Sequence, residues 1–372
     1  MKRYAKLALV ALISLAFLAL AFYNIDLAQM AQALTTANYL YLAPATLITL
    51  VGYGIRTVRW QAILYPSLDA LPLSPPSAGG MKEGAREPAP PKKRPGFLRL
   101  FPVLIIGFAA NNVLPFRAGE FVRAYVLGRR EGISASLSFA TIVLERVFDG
   151  LTLVFYLLVV ALLVPLPDWG TQLTLAAGVL FGGTTLVLLL LLFQEQRTLR
   201  LLDVLLHPLP AGVQIRIRDL TASFIVGLRS LRGLRGLLVI AGLSLAAWAC
   251  EIAAYTCLIA GFDLPLDGPM RLAAGTLTMV VVNLGNLIPS APGYAGTFEF
   301  FGRLAMSAFP AVDPAAGFAL ILVSHAMQYV LITALGFVFL WQMGLSMGQI
   351  QQARDRGVEA IEAVVGSAES PP

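Results

Sequence analysis

The chain has 372 residues, of which 58% are hydrophobic and 13% charged, and its formal net charge is +6. Soluble domains contain about 25% charged residues, so this composition excludes an ordinary soluble protein. Its apolar runs are long enough to cross a bilayer as helices, which predicts an all-α polytopic membrane protein rather than a β-barrel. Positive cytoplasmic loops account for the net charge, so we expect no nucleic-acid partner.

The first quarter of the chain predicts two spans and a loop. An apolar run from Leu7 to Phe22 follows three basic residues, which favours an uncleaved first span over a signal peptide. A second span covers Tyr39 to Ile55. We interpret the residues at its end as interfacial anchors: Arg56, Arg59 and Trp60. Residues 66–99 are rich in Pro, Gly, Ala and Lys, which predicts a disordered cytoplasmic loop.

The next stretch interrupts an apolar run with a proline and then adds charge. Residues 100–116 are apolar, residues 117–134 are polar and basic, and a long span covers 136–164. Ionisable groups at membrane depth are costly, so they suggest function. The candidate substrate-binding residues here are Asn111, Asn112, Arg117, Glu120, Arg123, Glu145, Arg146 and Asp149, and the candidate breaks are Pro115 and Gly119.

The second half has a similar order. Residues 171–193 predict a span without charge, 194–235 an amphipathic cytoplasmic segment, 237–261 a span, 272–288 an apolar run and 315–342 the last span. His325 in that last span is expected to be a polar packing residue. Candidate substrate-binding or proton-relay residues are Glu251 and Glu299, although a buried neutral carboxyl is an equal alternative for Glu251. The candidate breaks are Pro289, Pro292, Gly293 and Gly296.

The two breaks share a pattern, N-x2-P-x3-G, which begins at Asn112 and again at Asn286. If both broken segments dip into the membrane and return, 24 of the 27 lysines and arginines face the cytoplasm. In the alternative with eight full spans, 11 of those 24 would face the opposite side. The sequence therefore predicts about six transmembrane helices plus two re-entrant hairpins.

In this arrangement residues 1–164 and 171–343 are inverted repeats, followed by a cytoplasmic tail at 344–372. Inverted repeats with paired broken helices are typical of transporters that bind substrate near the midplane. We expect both breaks to line one polar cavity, with Glu120 and Glu299 facing it. Both termini are expected in the cytoplasm.

Phosphate is the anion that the first break would suit, because helix N-termini and arginine forks bind it. Arg117 and Arg123 are the candidate phosphate ligands, and Glu120 is one helical turn from Arg123. An alternative for Arg123, Glu145, Arg146 and Asp149 is an ion-pair network that holds the hairpin in place. The chain contains no P-loop, G-x-S-x-G or HExxH motif, and two histidines exclude a His-rich metal site, so we expect neither an enzyme nor a cofactor.

The run NNVLPFRAGEFVRAYVLGRREGIS, the later ATIVLERVFDG and the IPSAPGYAGTFE segment resemble the membrane region of lysylphosphatidylglycerol synthase/flippase proteins. The resemblance covers most of residues 1–343. It implies a bacterial inner-membrane protein that moves an anionic phospholipid or a lipid-linked intermediate. Bifunctional members add a cytosolic aminoacyl-transfer domain, which we do not expect here. A second hypothesis is a non-transporting partner of a separate lipid-modifying enzyme, either an aminoacyl- or glycosyltransferase or one of hopanoid synthesis.

Overall fold

The computed structural model describes residues 2–69, 94–114, 118–193, 200, 214, 233–352 and 355, and these contain helices but no strand. The helices are α1 Lys2–Phe22, α2 Leu27–Thr36, α3 Leu42–Asp69, α4 Phe97–Val113, α5 Gly119–Glu131, α6 Ala135–Leu163, α7 Asp168–Phe193, α8 Leu234–Gly261, α9 Gly268–Gly285, α10 Thr297–Met306 and α11 Pro314–Gln342. Single 3-10 turns form at Tyr39–Tyr41 and Pro292–Tyr294.

The predicted class, an all-helical membrane protein, is confirmed. By length and composition, three helices of the described residues could cross a membrane: Leu137–Leu163, Leu234–Gly261 and Pro314–Gln342. Helices α1 and α2 meet at 84° and would form a fourth, broken span. The count of six spans and the re-entrant path of both hairpins stay predictions.

The predicted end of the second span is wrong. Helix α3 continues to Asp69, and Arg56, Arg59 and Trp60 are 7%, 1% and 0% exposed. These residues are therefore interior groups rather than interfacial anchors, and the two arginines no longer count as loop charges. The arginines remain in the helix because carboxylates from other helices pair with them.

Two segments predicted from composition fall largely outside the described residues. Of the disordered loop at 66–99, residues 66–69 end α3 and residues 97–99 begin α4, while 70–93 lie outside the description. Most of the amphipathic segment at 194–235 also lies outside it. The polar stretch after the first break forms helix α5, and α2, which the sequence did not predict, begins where Asp26 accepts hydrogen bonds from Ala28 N and Gln29 N.

Each predicted break joins two helices that pack against each other, α4 with α5 and α9 with α10. At the first break, Gly119 N donates to the side-chain oxygen of Asn111 at 2.7 Å. A Cβ at Gly119 would lie 1.9 Å from the carbonyl oxygen of Gly107, so only glycine permits this approach of the two arms. At the second break, Gly293 and Gly296 have φ of +72° and +90°, values that glycine adopts readily.

The packing is symmetric in the two halves. Helix α3 packs on α8, while α4 packs on α11 and, correspondingly, α9 packs on α6. The contacts of α5 with α6 and of α10 with α11 correspond in the same way. Helices α3 and α8 run antiparallel, since Gly52 faces Cys250 and Arg59 bonds Ser244.

The apolar interior forms two main clusters. One is built around α6, α8, α9 and α10, and the other around the end of α3 with α4, α5 and the second half of α11. Trp248 and Phe298 belong to the first cluster and Ile332 to the second, and all three line one cavity. The cavity therefore lies between the two clusters.

Candidate functional site

The cavity between the two clusters has a volume of about 120 Å³. Segments from both halves line it with polar and aromatic side chains and one aliphatic side chain, Ile332. The polar and aromatic ones are Tyr53, Arg56, Phe108, Asn111, Asn112, Arg146, Asp149, Trp248, Glu251, Asn283, Asn286, Tyr294, Phe298, His325, Gln328 and Tyr329. A cavity of about 150 Å³ shares Asn111 and Tyr294 with it. Leu114 from the first break and residues 287–291 from the second line this neighbouring space.

The two breaks are therefore close in space. An ideal Cβ at Gly293 would lie 3.4 Å from the carbonyl oxygen of Asn112. Asn112 itself donates to Thr333 Oγ1 at 3.0 Å, which ties the first break to α11. Pro115 and Arg117 lie outside the described residues.

Two ion pairs join α3 to other helices beside the cavity. Arg56 Nη2 donates to Glu251 Oε2 at 2.8 Å, and Asn283 Nδ2 donates to the other oxygen of this carboxylate at 3.0 Å. Arg59 Nη1 donates to Asp149 Oδ1 at 2.5 Å, and Trp248 Nε1 donates to the same oxygen at 3.0 Å. Buried charges persist when they are paired and hydrogen-bonded, as they are here.

Arg123 and Glu145 form a separate buried pair. Arg123 donates twice, to Glu145 Oε2 at 2.5 Å and to Oε1 at 3.1 Å, and its guanidinium carbon lies 3.5 Å from the centre of the Trp60 ring. The two residues are 3% and 1% exposed, and neither is among the described residues that line the cavity. The geometry therefore matches the alternative ion-pair hypothesis, and Arg123 contacts Glu145 instead of Glu120.

Arg146 has the most unused donors of the cavity arginines. Its contacts with carboxylates are long, 3.5 Å from Nη1 to Asp149 Oδ2 and 3.8 Å from Nε to Glu120 Oε1. Its side chain is 31% exposed. A guanidinium has five N–H donors, and no hydrogen bond from Arg146 is present among the described residues. Glu120, which was expected to face the cavity, is not among the described residues that line it, and it contacts the lining residue Arg146.

Glu299 is likewise not among the described residues that line the cavity, but it contacts the lining residue His325. Its Oε2 accepts a hydrogen bond from Gly296 N at 2.7 Å, which caps α10, and its Oε1 lies 2.6 Å from His325 Nδ1. His325 is therefore more than a packing residue, since its ring lines the cavity and contacts both Glu299 and the second break.

Sequence reasoning missed several lining residues. Arg56 was assigned to the membrane interface, and Tyr53, Trp248, Asn283 and Gln328 were not singled out. The available signal was polarity within apolar runs, because an amide such as Asn283 or Gln328 in a span requires a partner. The candidates Asn111, Asn112, Arg146, Asp149 and Glu251 do line the cavity.

The sequence profile of the family described as "Lysylphosphatidylglycerol synthase TM region" matches residues 6–336, which is most of the chain. The chain belongs to this family. The family resemblance stated from the motifs is thus confirmed, and with it the multi-pass membrane character. No solved structure is detectably similar to this family member.

Two curated relatives extend over most of the chain. "Glycosyltransferase AglD" of Haloferax volcanii is 26% identical over 85% of this chain and 51% of its own length. A "UPF0104 membrane protein" of Methanothermobacter thermautotrophicus is 21% identical over 86% of this chain and 90% of its own length. The chain thus spans about half of the first relative and nearly all of the second.

Proposed function

We propose that this protein is a lipid flippase, which moves a phospholipid or a lipid-linked intermediate across the membrane and catalyses no covalent reaction. The observation that carries the proposal is the charged cavity between the two apolar clusters, with both helix breaks at its edge. Freed backbone groups and charges inside an apolar bundle are stable only against protein or in a hydrated cavity. A lipid headgroup has the polarity that this cavity would accommodate.

Arg146 is the proposed ligand of the lipid phosphate. It lines the cavity, it is partly exposed and its donors are unused, so it can form the bidentate contacts that guanidinium makes with phosphate. Arg56 also lines the cavity, but Glu251 already accepts one of its hydrogen bonds. The acyl chains would remain in the surrounding bilayer.

The symmetric packing supports a transport mechanism by alternating access. In this proposal residues 1–164 and 171–343 are inverted repeats that rock against each other at the α3–α8 interface. The antiparallel contact of these helices is the arrangement expected of equivalent helices in inverted repeats. The cavity is smaller than a lipid, so passage requires the two halves to separate.

A second candidate function is a membrane partner of a lipid-modifying transferase. The first curated relative favours it, because that protein is named a glycosyltransferase. The part of it that matches this chain is about half of its length, so the relative has a further region beside the matching one. We propose a bacterial inner-membrane location with both termini in the cytoplasm for either function.

Reconstitution tests the flippase proposal. Purified protein is placed in liposomes with lipids labelled on the headgroup, and the fraction accessible to a membrane-impermeant quencher is followed over time. We expect protein-dependent movement of a phosphate-bearing lipid. In Arg146→Gln, the loss of a charge-assisted contact is expected to slow movement about tenfold or more.

Arg130→Gln is the matched control, because Arg130 is exposed at the end of α5. It should retain wild-type movement within about twofold. If the wild-type protein moves none of the phospholipids or lipid-linked intermediates, the result favours the second candidate function, a membrane partner of a lipid-modifying transferase. If Arg146→Gln moves lipid as fast as Arg130→Gln, Arg146 is not the phosphate ligand.

A further inference from the structure

His325 contacts two hydrogen-bond acceptors at the second break. Its Nδ1 lies 2.6 Å from Glu299 Oε1 and its Nε2 lies 2.8 Å from the backbone oxygen of Gly293. The Phe298 ring stacks on the imidazole at a centroid distance of 4.1 Å and an angle of 8°, which holds the ring plane. The side chains of His325 and Glu299 are 14% and 9% exposed.

The two acceptors determine how many protons the pair holds. A backbone carbonyl only accepts, so Nε2 of His325 must carry a hydrogen. The hydrogen bond at Nδ1 then needs a second proton, either on Nδ1 beside an ionised Glu299 or on Glu299 beside a bare Nδ1. In both arrangements the pair holds one proton more than a neutral imidazole with a carboxylate.

From this count we propose that His325 and Glu299 form a proton-binding site that couples the shape of the second break to proton uptake and release. The site is occupied in the described conformation. Release transfers the extra proton from the pair to water in the cavity that His325 lines. A single N–H remains on the neutral ring, so the ring can donate to Glu299 or to the Gly293 carbonyl but not to both.

Loss of one of these bonds affects the break directly. Glu299 also accepts from Gly296 N, so one carboxylate holds both the histidine and the turn before α10. Gly293, Tyr294 and Gly296 are the three residues of this turn with positive φ. A carbonyl or carboxylate left without a donor in an apolar bundle is unfavourable, which drives the break to a different conformation. The transport role of this change rests on the proposed flippase function.

The other charged groups that face the cavity with His325 nearly cancel. Arg56 of α3 pairs with Glu251 of α8, and Arg146 of α6 lies beside Asp149, which also accepts a hydrogen bond from Arg59 of α3. The titratable groups that remain are the phenols of Tyr53 on α3, Tyr294 at the break and Tyr329 on α11. The Tyr329 ring is 6.3 Å from the His325 ring. Histidine is the one side-chain type among these described groups that ordinarily changes charge near neutral pH.

Nuclear magnetic resonance tests proton binding without any transport. The chain has two histidines, His207 and His325, so His207→Gln leaves His325 as the sole imidazole. At pH 7 we expect nitrogen shifts of a doubly protonated ring. The proposal is equally supported if the nitrogen shifts show a ring protonated only at Nε2 and the carboxyl carbon shift shows that Glu299 is protonated. A ring protonated at one nitrogen beside an ionised Glu299 overturns the proposal.

Proteoliposomes with a pH gradient test the coupling. If one proton moves with each lipid, a gradient of one pH unit shifts the steady-state ratio of labelled lipid between leaflets by up to about tenfold. His207→Gln should respond as wild type, whereas His325→Gln and Glu299→Gln should show no shift. If the wild-type protein moves lipid but the ratio between leaflets does not change with the pH gradient, the coupling of proton and lipid movement is overturned. The proton-binding site itself is not affected by that result. Absence of lipid movement refutes the flippase proposal, and the resonance experiment still decides whether the proton site exists.

Discussion

At the scale of single residues, the interior balances charge locally. Arg56, Arg59 and Arg123 each donate to a different carboxylate, at N–O distances between 2.5 and 2.8 Å. Removing one member of such a pair leaves an uncompensated buried charge, which costs more than the pair itself contributes. Arg146 differs from them because its contacts are long and its donors are unused. Of these four described arginines, three are therefore closely paired with carboxylates, and Arg146, which we propose as the phosphate ligand, is not.

Arg123→Ala is expected to destabilise the protein by about 3–5 kcal/mol, since Glu145 would remain buried without its partner. Arg123→Lys should fall between alanine and wild type, because lysine keeps the charge but loses the two-fold donor geometry. Thermal unfolding in detergent measures the effect, and Arg130→Ala at an exposed position is the control. An Arg123→Ala protein as stable as the control but unable to move lipid would restore Arg123 as a phosphate ligand.

At the scale of elements, the second break depends on two glycines. A Cβ at Gly293 would meet the Tyr329 ring at 2.5 Å, and a Cβ at Gly296 would lie 2.2 Å from the backbone oxygen of Ser14. Ser14 also accepts a hydrogen bond from Ala291 N at 2.6 Å. The break is therefore packed between α1 and α11, so its geometry and the position of α1 are linked.

Gly296→Ala should destabilise the protein by more than about 1 kcal/mol, because alanine resists positive φ and its methyl group would collide with backbone. Gly242→Ala is the matched control, since Gly242 is an exposed helical position with nothing within 4 Å of an added Cβ. We expect the control to be neutral or slightly stabilising in the same unfolding measurement. Equal stability of the two variants would mean that the break is not held in this conformation.

At the scale of the whole molecule, the symmetric packing and the adjacent breaks make the two halves one unit. The core of each half contacts the other half, through α3 with α8, α4 with α11 and α6 with α9. Neither half therefore encloses the cavity alone. Asn111 near the first break and Tyr294 at the second line both cavities, so the two breaks meet at one polar space.

Cysteine labelling in a protein that lacks Cys250 and Cys257 tests the re-entrant topology. Positions 80, 125 and 215 should react from the cytoplasm, and positions 168 and 265 from the opposite side, as the distribution of basic residues predicts. Reaction of 125 and 215 from the outside would refute both re-entrant hairpins and the inverted repeat.

Crosslinking in the same background tests whether the breaks meet. Leu114→Cys with Ala291→Cys should form an intramolecular crosslink with a short bifunctional maleimide, because both residues line one cavity. The single variants serve as controls. A paired variant that remains uncrosslinked while both cysteines react with a monofunctional maleimide would contradict a shared cavity.

The class of protein and the positions of the breaks could be predicted from the sequence, since both depend on local chemistry. Apolar runs specify helices that must avoid water, and proline removes a backbone donor that a continuous helix uses. Proline alone is not decisive, since Pro102 lies within α4; the two breaks combine proline with the glycines at their turns. Polarity within spans likewise identified Asn111, Asn112, Arg146, Asp149 and Glu251, which all line the cavity.

The partners of the charged residues were decided by tertiary structure alone. An arginine near the end of an apolar run has the same sequence signature whether it faces water or a carboxylate. Arg56 pairs with Glu251, 195 residues away, and Arg59 with Asp149, 90 residues away. The choice between anchor, structural ion pair and substrate ligand depends on which helices meet, because desolvation and pairing energies arise only when distant helices enclose the charge.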